Sequence, residues 1–240
     1  MSDQSVRSDW IRRVSDVLIA GLGLLVLSPL MLLIAVAVIL ETGLPVFFAQ
    51  TRVGRDGKGF RIYKFRKFHA RNDVAGPLLT VRNDPRMSRV GRFLERTKLD
   101  ELPQFYNVLK GDMAIVGPRP DVFAHLDCYT GDYRAMLNYK PGIFGPAQVA
   151  FRDAGALYSP HTDPTEFYRE KIFPIKADLD LRYYPRRTLL NDVIWIIRGV
   201  LAVIGIHPTV RRIPVAPAHI TDELASSVGT KAAIQGGQGS

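Results

Sequence analysis

Val17 to Leu40, VLIAGLGLLVLSPLMLLIAVAVIL, runs for 24 residues without a charged side chain. As a straight helix at about 1.5 Å per residue it is roughly 36 Å long, and a bilayer's hydrocarbon core is about 30 Å thick. It is too long for the apolar core of a secretory signal, and no small-residue cleavage site follows it. Two features bear on how it meets a membrane. Ser28-Pro29 lies in the middle, where an interior proline removes a helix hydrogen bond at a cost of about 3 kcal/mol. Positive charge also flanks both ends: Arg7, Arg12 and Arg13 before, then Arg52, Arg55, Lys58 and Arg61 after. A single crossing cannot keep both flanks on the cytoplasmic face. A helix–break–helix that dips in and returns satisfies both observations. A spanning helix with a tolerated proline kink stays open beside it.

The rest of the 240 residues suffice for one good-sized core. Between Arg52 and Lys110 stand 15 Lys/Arg against 6 Asp/Glu, which accounts for the whole net charge of +9. Such a surface suits polyanions: nucleic acid, anionic lipid head groups or diphosphates. The single cysteine, Cys128, excludes an internal disulfide and reads as a buried, inert thiol of a reducing compartment. The histidines (His69, His125, His161, His207, His219) show no zinc-ligand spacing and read as surface or packing residues.

Outward from the apolar run, 45–50 and 60–65 read as strands joined by Gly54-Arg55-Asp56-Gly57-Lys58-Gly59, a β-hairpin. A short helix is predicted over 90–95. Thr97 is then a plausible N-cap for a helix with Leu102, Phe105, Tyr106 and Leu109 on one face, closed by Lys110-Gly111. Further helices are predicted over 122–138, 166–178 (interrupted at Pro174) and 189–204. The stretch 207–240 reads as a proline-marked strap and a small, polar tail. The fold class is α+β, mainly helical with a small hairpin. Residues 1–41 form the N-terminal tail and membrane helix, 42–206 the catalytic domain, and 207–240 the strap and tail.

Leu99-Asp100-Glu101-Leu102-Pro103-Gln104 places two adjacent carboxylates among cations and near a helix start. A carboxylate so placed is held ionised and can act as nucleophile or metal ligand, while its neighbour binds Mg²⁺ or moves a proton. Helix capping explains the same pair equally well. In Gly117-Pro118-Arg119-Pro120 the prolines stiffen the backbone and present a guanidinium suited to phosphate, or simply form a stiff turn. Lys64 and Arg66 share one strand face, as a second phosphate clamp or as a lipid-facing basic edge.

Taken in order, these segments resemble the bacterial sugar transferase family, the monotopic polyprenyl-phosphate phosphoglycosyl transferases. The resemblance runs from about Val14 to Gly205. It rests on Ser28-Pro29, the Gly-Arg-Asp-Gly hairpin with Lys64-Phe65-Arg66, Asn83-Asp84-Pro85-Arg86, the Asp100-Glu101 segment, Asn107 to Met113, Val116 to Pro120, and Lys140-Pro141-Gly142-Ile143. It implies a re-entrant membrane helix with both ends cytoplasmic, at a bacterial inner membrane, in the minimal catalytic form. It implies Asp100 as covalent nucleophile, Glu101 as its partner, and Mg²⁺ as cofactor, with Asp100 and Glu101 as metal ligands. Lys64, Arg66, Arg86, Arg119 and Lys140 are the implied substrate-binding residues. The implied substrates are a nucleoside-diphosphate sugar, usually a UDP-sugar, and polyprenyl phosphate, with UMP released in the initiating step of a surface polysaccharide or glycoconjugate. The implied partners include membrane lipid and no nucleic acid, and a homo-oligomer is compatible with the sequence. Glu95, Lys98, Phe144 and Pro146 depart from the family's usual residues.

A rival reading is a membrane-tethered basic binding or scaffold protein without catalysis. The aromatics Phe60, Tyr63, Phe65 and Phe68 within the basic run suit it. It leaves the Asp-Glu pair and the Pro-Arg-Pro turn unexplained.

Overall fold

A computed structural model describes residues 3–69, 84–152 and 163–203. Residues 207–240, with the expected strap and tail, lie outside the described residues, as do Asn83, His161 and Ile204. The apolar run lies within helix α1 (Asp3–Thr42), which is continuous through Pro29. The expected break at Ser28-Pro29 is thereby corrected. Pro29 has no N–H to give to the Leu25 carbonyl, and the Ser28 hydroxyl donates to that oxygen instead, at 2.8 Å. An unsatisfied carbonyl in hydrocarbon costs several kcal/mol. Ser28 therefore removes the chief reason for the helix to open.

One stripe of α1 packs on the protein. Ala20, Ile34 and Val38 are buried, and Gly23 lets the Phe105 ring approach the helix backbone. The other side is bare: Leu18, Leu22, Leu25, Leu32, Leu33 and Leu40 are 62% to 82% exposed. Among the described residues α1 is the one helix long and apolar enough to cross a membrane.

Both ends of α1 are tied down. Near its start, Arg13 donates to the carbonyls of Val108 (2.6 Å) and Leu109 (2.9 Å), and the Ile115 N–H donates to Asp16 at 2.9 Å. Arg12 reaches Asp192, which also accepts from the Tyr183 hydroxyl. At the far end, Glu41 accepts from the N–H groups of Arg89 and Val90, each at 2.7 Å. These are free donors at the start of α2 (Arg89–Thr97), where the Ser88 hydroxyl caps the Gly91 N–H.

The hairpin forms as expected, with β1 (Phe47–Val53) antiparallel to β2 (Gly59–Phe65). Other expectations are corrected. Thr97 ends α2 rather than capping the next helix; its hydroxyl donates back to Phe93 and Leu94, and Lys98 turns the chain in the left-handed region (φ 59°). Leu99–Glu101 is a 3₁₀ turn before α3 (Gln104–Lys110), and Gly111 closes α3 at φ 98°. α3 buries Gln104, Asn107 and Val108, leaving Tyr106 exposed. Asn107 is needed inside because its amide donates to the Arg61 carbonyl and accepts from the Tyr63 N–H, fastening α3 to β2. The 122–138 helix is instead two 3₁₀ segments, Phe123–Cys128 and Gly131–Asn138, and Cys128 is half-buried.

Lys140-Pro141-Gly142 leads into a strand. β3 (Ala114–Val116) pairs in parallel with β4 (Gly142–Phe144). Gly117 and Gly142 meet back to back: a Cβ on Gly142 would lie 2.0 Å from the Gly117 nitrogen. α4 (Pro146–Ala150) and α5 (Pro164–Phe167) follow. A π turn at Tyr168–Ile172 leads to α6 (Phe173–Tyr183), which Pro174 opens rather than interrupts. α7 (Leu189–Val203) buries Trp195 and exposes Leu190, Val193, Ile197 and Val200.

A Cβ on Gly91 would lie 2.0 Å from the Lys67 carbonyl oxygen. Gly91→Ala is therefore expected to force α2 off the Lys67 segment and destabilise the fold by about 1–3 kcal/mol, read as a lowered melting temperature.

Candidate active site

A cavity of about 1010 Å³ opens between α2, the 3₁₀ turn, β1, β2, α4, α6 and α7. Asp100 lies on its wall and is 2% exposed. Its Oδ1 has no hydrogen-bond partner, and its Oδ2 is 3.5 Å from the Lys67 ammonium. A buried carboxylate oxygen without a donor is costly unless a ligand completes it. Lys67 is shared, standing also 3.5 Å from Glu95. Burial works against this ammonium, yet Asp100 and then Glu95 outweigh it and raise its pKa.

Glu101 lines the same cavity, and both its oxygens have cation partners. Its Oε1 accepts from Lys64 Nζ at 2.7 Å and from Arg119 at 2.7 Å, and its Oε2 lies 3.4 Å from Arg119. Burial pushes the Glu101 pKa up, but Arg119 and then Lys64 overcome it and hold it well below the carboxylate range. A carboxylate held that low carries no proton near neutral pH. In this arrangement Glu101 orients cations and has no proton to give. Glu101 raises the Arg119 pKa in turn, while burial brings Lys64 down to about 8 against the pull of Glu101.

Arg119 is aimed by the glycine contact. The Gly117 N–H donates to the Phe144 carbonyl and the Gly142 N–H to the Pro118 carbonyl, while the Gln148 amide bridges the carbonyls of Gly117 and Gly142. Three other expected substrate residues are not on the cavity wall. Arg66 is buried and donates to Thr42 and Gly43 at the end of α1, because β2 ends at Phe65 and strand alternation stops there. Arg86 is forked onto Asp84 and lies 5.0 Å over the Phe68 ring. Lys140 is half-buried near Arg13 and Asp16, below the arginine turn.

The sequence reading missed Lys67, Arg52, Asp121 and Lys176, all on the cavity wall. Asp121 follows the Pro-Arg-Pro turn directly, a signal that could have been used. It accepts from the Val122 N–H, pairs with His125 at 3.1 Å and accepts from the Tyr168 hydroxyl at 2.6 Å. His125, treated as a packing residue, is fully buried in that role. Asp180 holds one backbone donor, the Ala147 N–H at 3.3 Å, and burial pushes its carboxyl up to about 8.

No cluster of three metal-ligating side chains exists among the described residues. The donor set still fits an ion that arrives with its substrate. Magnesium is commonly held by one or two carboxylates plus substrate phosphates. Asp100 offers a free oxygen, whereas both Glu101 oxygens are occupied. A nearly buried carboxylate ringed by Lys64, Lys67 and Arg119 suits attack on a phosphorus whose oxygens those cations neutralise.

Comparison with known proteins gives the family. The bacterial sugar transferase family model matches residues 7–206. The UDP-glucose:undecaprenyl-phosphate glucose-1-phosphate transferase of Caulobacter vibrioides is 40% identical over 81% of this chain and 70% of its own length. The protein of the same name from Escherichia coli is 46% identical over 58% of this chain and 31% of its own. The UDP-N-acetylgalactosamine-undecaprenyl-phosphate N-acetylgalactosaminephosphotransferase of Aeromonas hydrophila is 38% identical over 76% and 44%. The chain thus spans less than half the length of the last two. The family match and the names of these relatives make the chain an enzyme, a phosphoglycosyl transferase. The chain belongs to the bacterial sugar transferase family.

Glu101→Ala would leave Lys64 and Arg119 without their anion. The expected loss is about 3 kcal/mol, the low end for a broken buried pair because Arg119 keeps partial solvent contact. Denaturant unfolding in detergent measures it. The Asp180 carboxyl is raised from 3.8 to about 8, so its contribution is complete below about pH 4 and lost as pH climbs through 8. The melting temperature of Asp180→Asn is therefore expected to gain on that of the wild type between pH 5 and pH 9.

Proposed function

We propose that this enzyme moves a sugar phosphate from a UDP-sugar to polyprenyl phosphate through a covalent Asp100 intermediate. The observation that carries the reading is the buried, unpartnered Asp100 oxygen in a cavity walled by Lys64, Lys67 and Arg119. The Asp100 carboxylate attacks the β-phosphorus of the nucleotide sugar. A new oxygen–phosphorus bond forms while the bond to the bridging oxygen breaks, and UMP departs with that electron pair. A phosphate oxygen of the lipid then attacks the same phosphorus, frees Asp100 and yields the polyprenyl-diphosphate sugar. Splitting the transfer gives each substrate its own in-line step. A magnesium ion held by Asp100 and the substrate's phosphates would neutralise charge on the transferring group. The names of the relatives support UDP-sugars and undecaprenyl phosphate as the substrate classes.

The membrane reading is part of the same proposal. Arg13 and Asp16 at one end of the apolar stretch, and Glu41 and Thr42 at the other, hold the same folded body. A helix crossing about 30 Å of hydrocarbon would carry those ends to opposite sides. We infer that α1 keeps both its ends on one face, the cytoplasmic face of a bacterial inner membrane, with its bare leucines in the lipid. The lipid substrate then reaches the cavity from the membrane surface, and the nucleotide sugar from the water.

Purified protein with Mg²⁺, polyprenyl phosphate and a panel of UDP-sugars is expected to release UMP with at least one sugar. Asp100→Asn is expected to lower that rate at least a thousandfold, because an amide does not form the acyl phosphate. Full activity in that variant would remove Asp100 from the mechanism.

A further inference from the structure

The cavity continues past Arg119 to a second group of cations that has no part in the attack by Asp100. Its wall there carries Arg52, Asp121, Tyr168 and Lys176. Lys176 lies over two rings, 4.7 Å from the centroid of Tyr168 and 5.5 Å from that of Phe151. Its ammonium has no hydrogen bond or ion pair among the described residues. The Nε of Arg52 is likewise buried without a partner. Arg52 is held in place through its backbone: it bridges to Val122, and the next N–H, that of Val53, donates to the Asp121 carbonyl. The nearby carboxylate, Asp121, is already committed to Val122, His125 and Tyr168.

Arg52, Arg119 and Lys176 therefore crowd one compartment in which the Asp121 carboxylate is spoken for and the Asp180 carboxyl, also on the wall, is pushed up to about 8 by burial. Burial depresses the Lys176 ammonium to about 8; Asp121 resists, and the charges of Arg119 and Arg52 add to the fall. Crowded, partly desolvated cations with free N–H groups call for an anion with several oxygens. The order along the cavity says which one. Lys67 stands 3.5 Å from Asp100, Arg119 is bonded to the adjacent Glu101, and Lys176 lies over the ring of Tyr168, whose hydroxyl bonds Asp121, two residues beyond Arg119. In an in-line displacement the leaving oxygen departs on the side of the phosphorus away from the nucleophile.

We propose that Arg52 and Lys176 hold the leaving phosphate of the nucleoside diphosphate, with Arg119 shared between its two phosphates. This rests on the nucleotide-sugar reading above and sets the direction in which the nucleotide lies. The sugar phosphate meets Asp100, and the nucleoside monophosphate leaves through the Arg52–Lys176 end. Neither residue touches the polyprenyl phosphate.

The test uses the full chain in nanodiscs, with UMP as probe. Lys176→Met and Arg52→Gln are each expected to weaken UMP binding at least tenfold and to raise the KM for the UDP-sugar. The KM for polyprenyl phosphate is expected to stay within twofold, and Lys176→Arg to recover most of the UMP affinity. On the wild type, UMP is expected to protect Lys176 from amine acylation, read by peptide mass spectrometry, so the test survives a variant that does not fold. UMP affinity within twofold of wild type in both variants, or acylation of Lys176 unaffected by saturating UMP, would overturn the assignment. A wild type that shows this protection but transfers no sugar phosphate would count against the proposed reaction and for the phosphate site. One that transfers without protection would do the reverse.

Discussion

Glu101 between Lys64 and Arg119 is the interaction on which the site depends. It joins three pieces of chain at one point: the end of the hairpin, the 3₁₀ turn after α2, and the arginine turn after β3. Two cations on one carboxylate leave Glu101 no free oxygen, and they leave Asp100, next in sequence, facing the cavity with one oxygen unclaimed. Adjacent residues in a 3₁₀ turn point in different directions, about 120° apart for three residues per turn. One carboxylate can therefore build the site while its neighbour is left free for the proposed attack. The local charge is kept in balance on the far side by Lys67, which Asp100 shares with Glu95. Glu95 is thus the second anchor of the lysine beside Asp100.

The same economy governs the membrane helix. Buried or lipid-facing polar groups are tolerated when each has a partner. Ser28 supplies the partner that Pro29 withholds, Glu41 closes the start of α2, and Arg66 closes the end of α1. The 3₁₀ turn comes directly after α2, so under the proposed function the apolar helix and the Asp100 carboxylate are linked by nine residues of α2 and one left-handed lysine.

Much of this was legible in the sequence where a short-range rule decides the outcome. The glycine-rich turn predicted the hairpin, Gly111 predicted the end of α3, and the carboxylate pair with Arg119 marked the cavity. Where a distant partner decides, the sequence was silent. Nothing local announces that Arg66 turns to Thr42 rather than following the strand face, or that Arg86 folds onto Asp84 two residues away. The parallel pairing of β3 with β4 joins segments some 28 residues apart, and the glycine-on-glycine contact that demands it has no local signature. Lys176 was missed for the same reason: on α6 it reads as an ordinary exposed lysine of an amphipathic helix, and its ring partners, Phe151 and Tyr168, come from other elements.

The central claim is that Asp100 itself becomes bonded to the sugar phosphate. Intact-protein mass spectrometry after incubation with Mg²⁺ and the accepted UDP-sugar, with polyprenyl phosphate withheld, tests it most directly. The account requires one added sugar phosphate per chain, mapped to the peptide carrying Asp100, matched by one UMP released and discharged when polyprenyl phosphate is added. Turnover on adding both substrates, with no adduct trapped at any time and no UMP released before the lipid arrives, would contradict it and point to direct transfer between the two substrates.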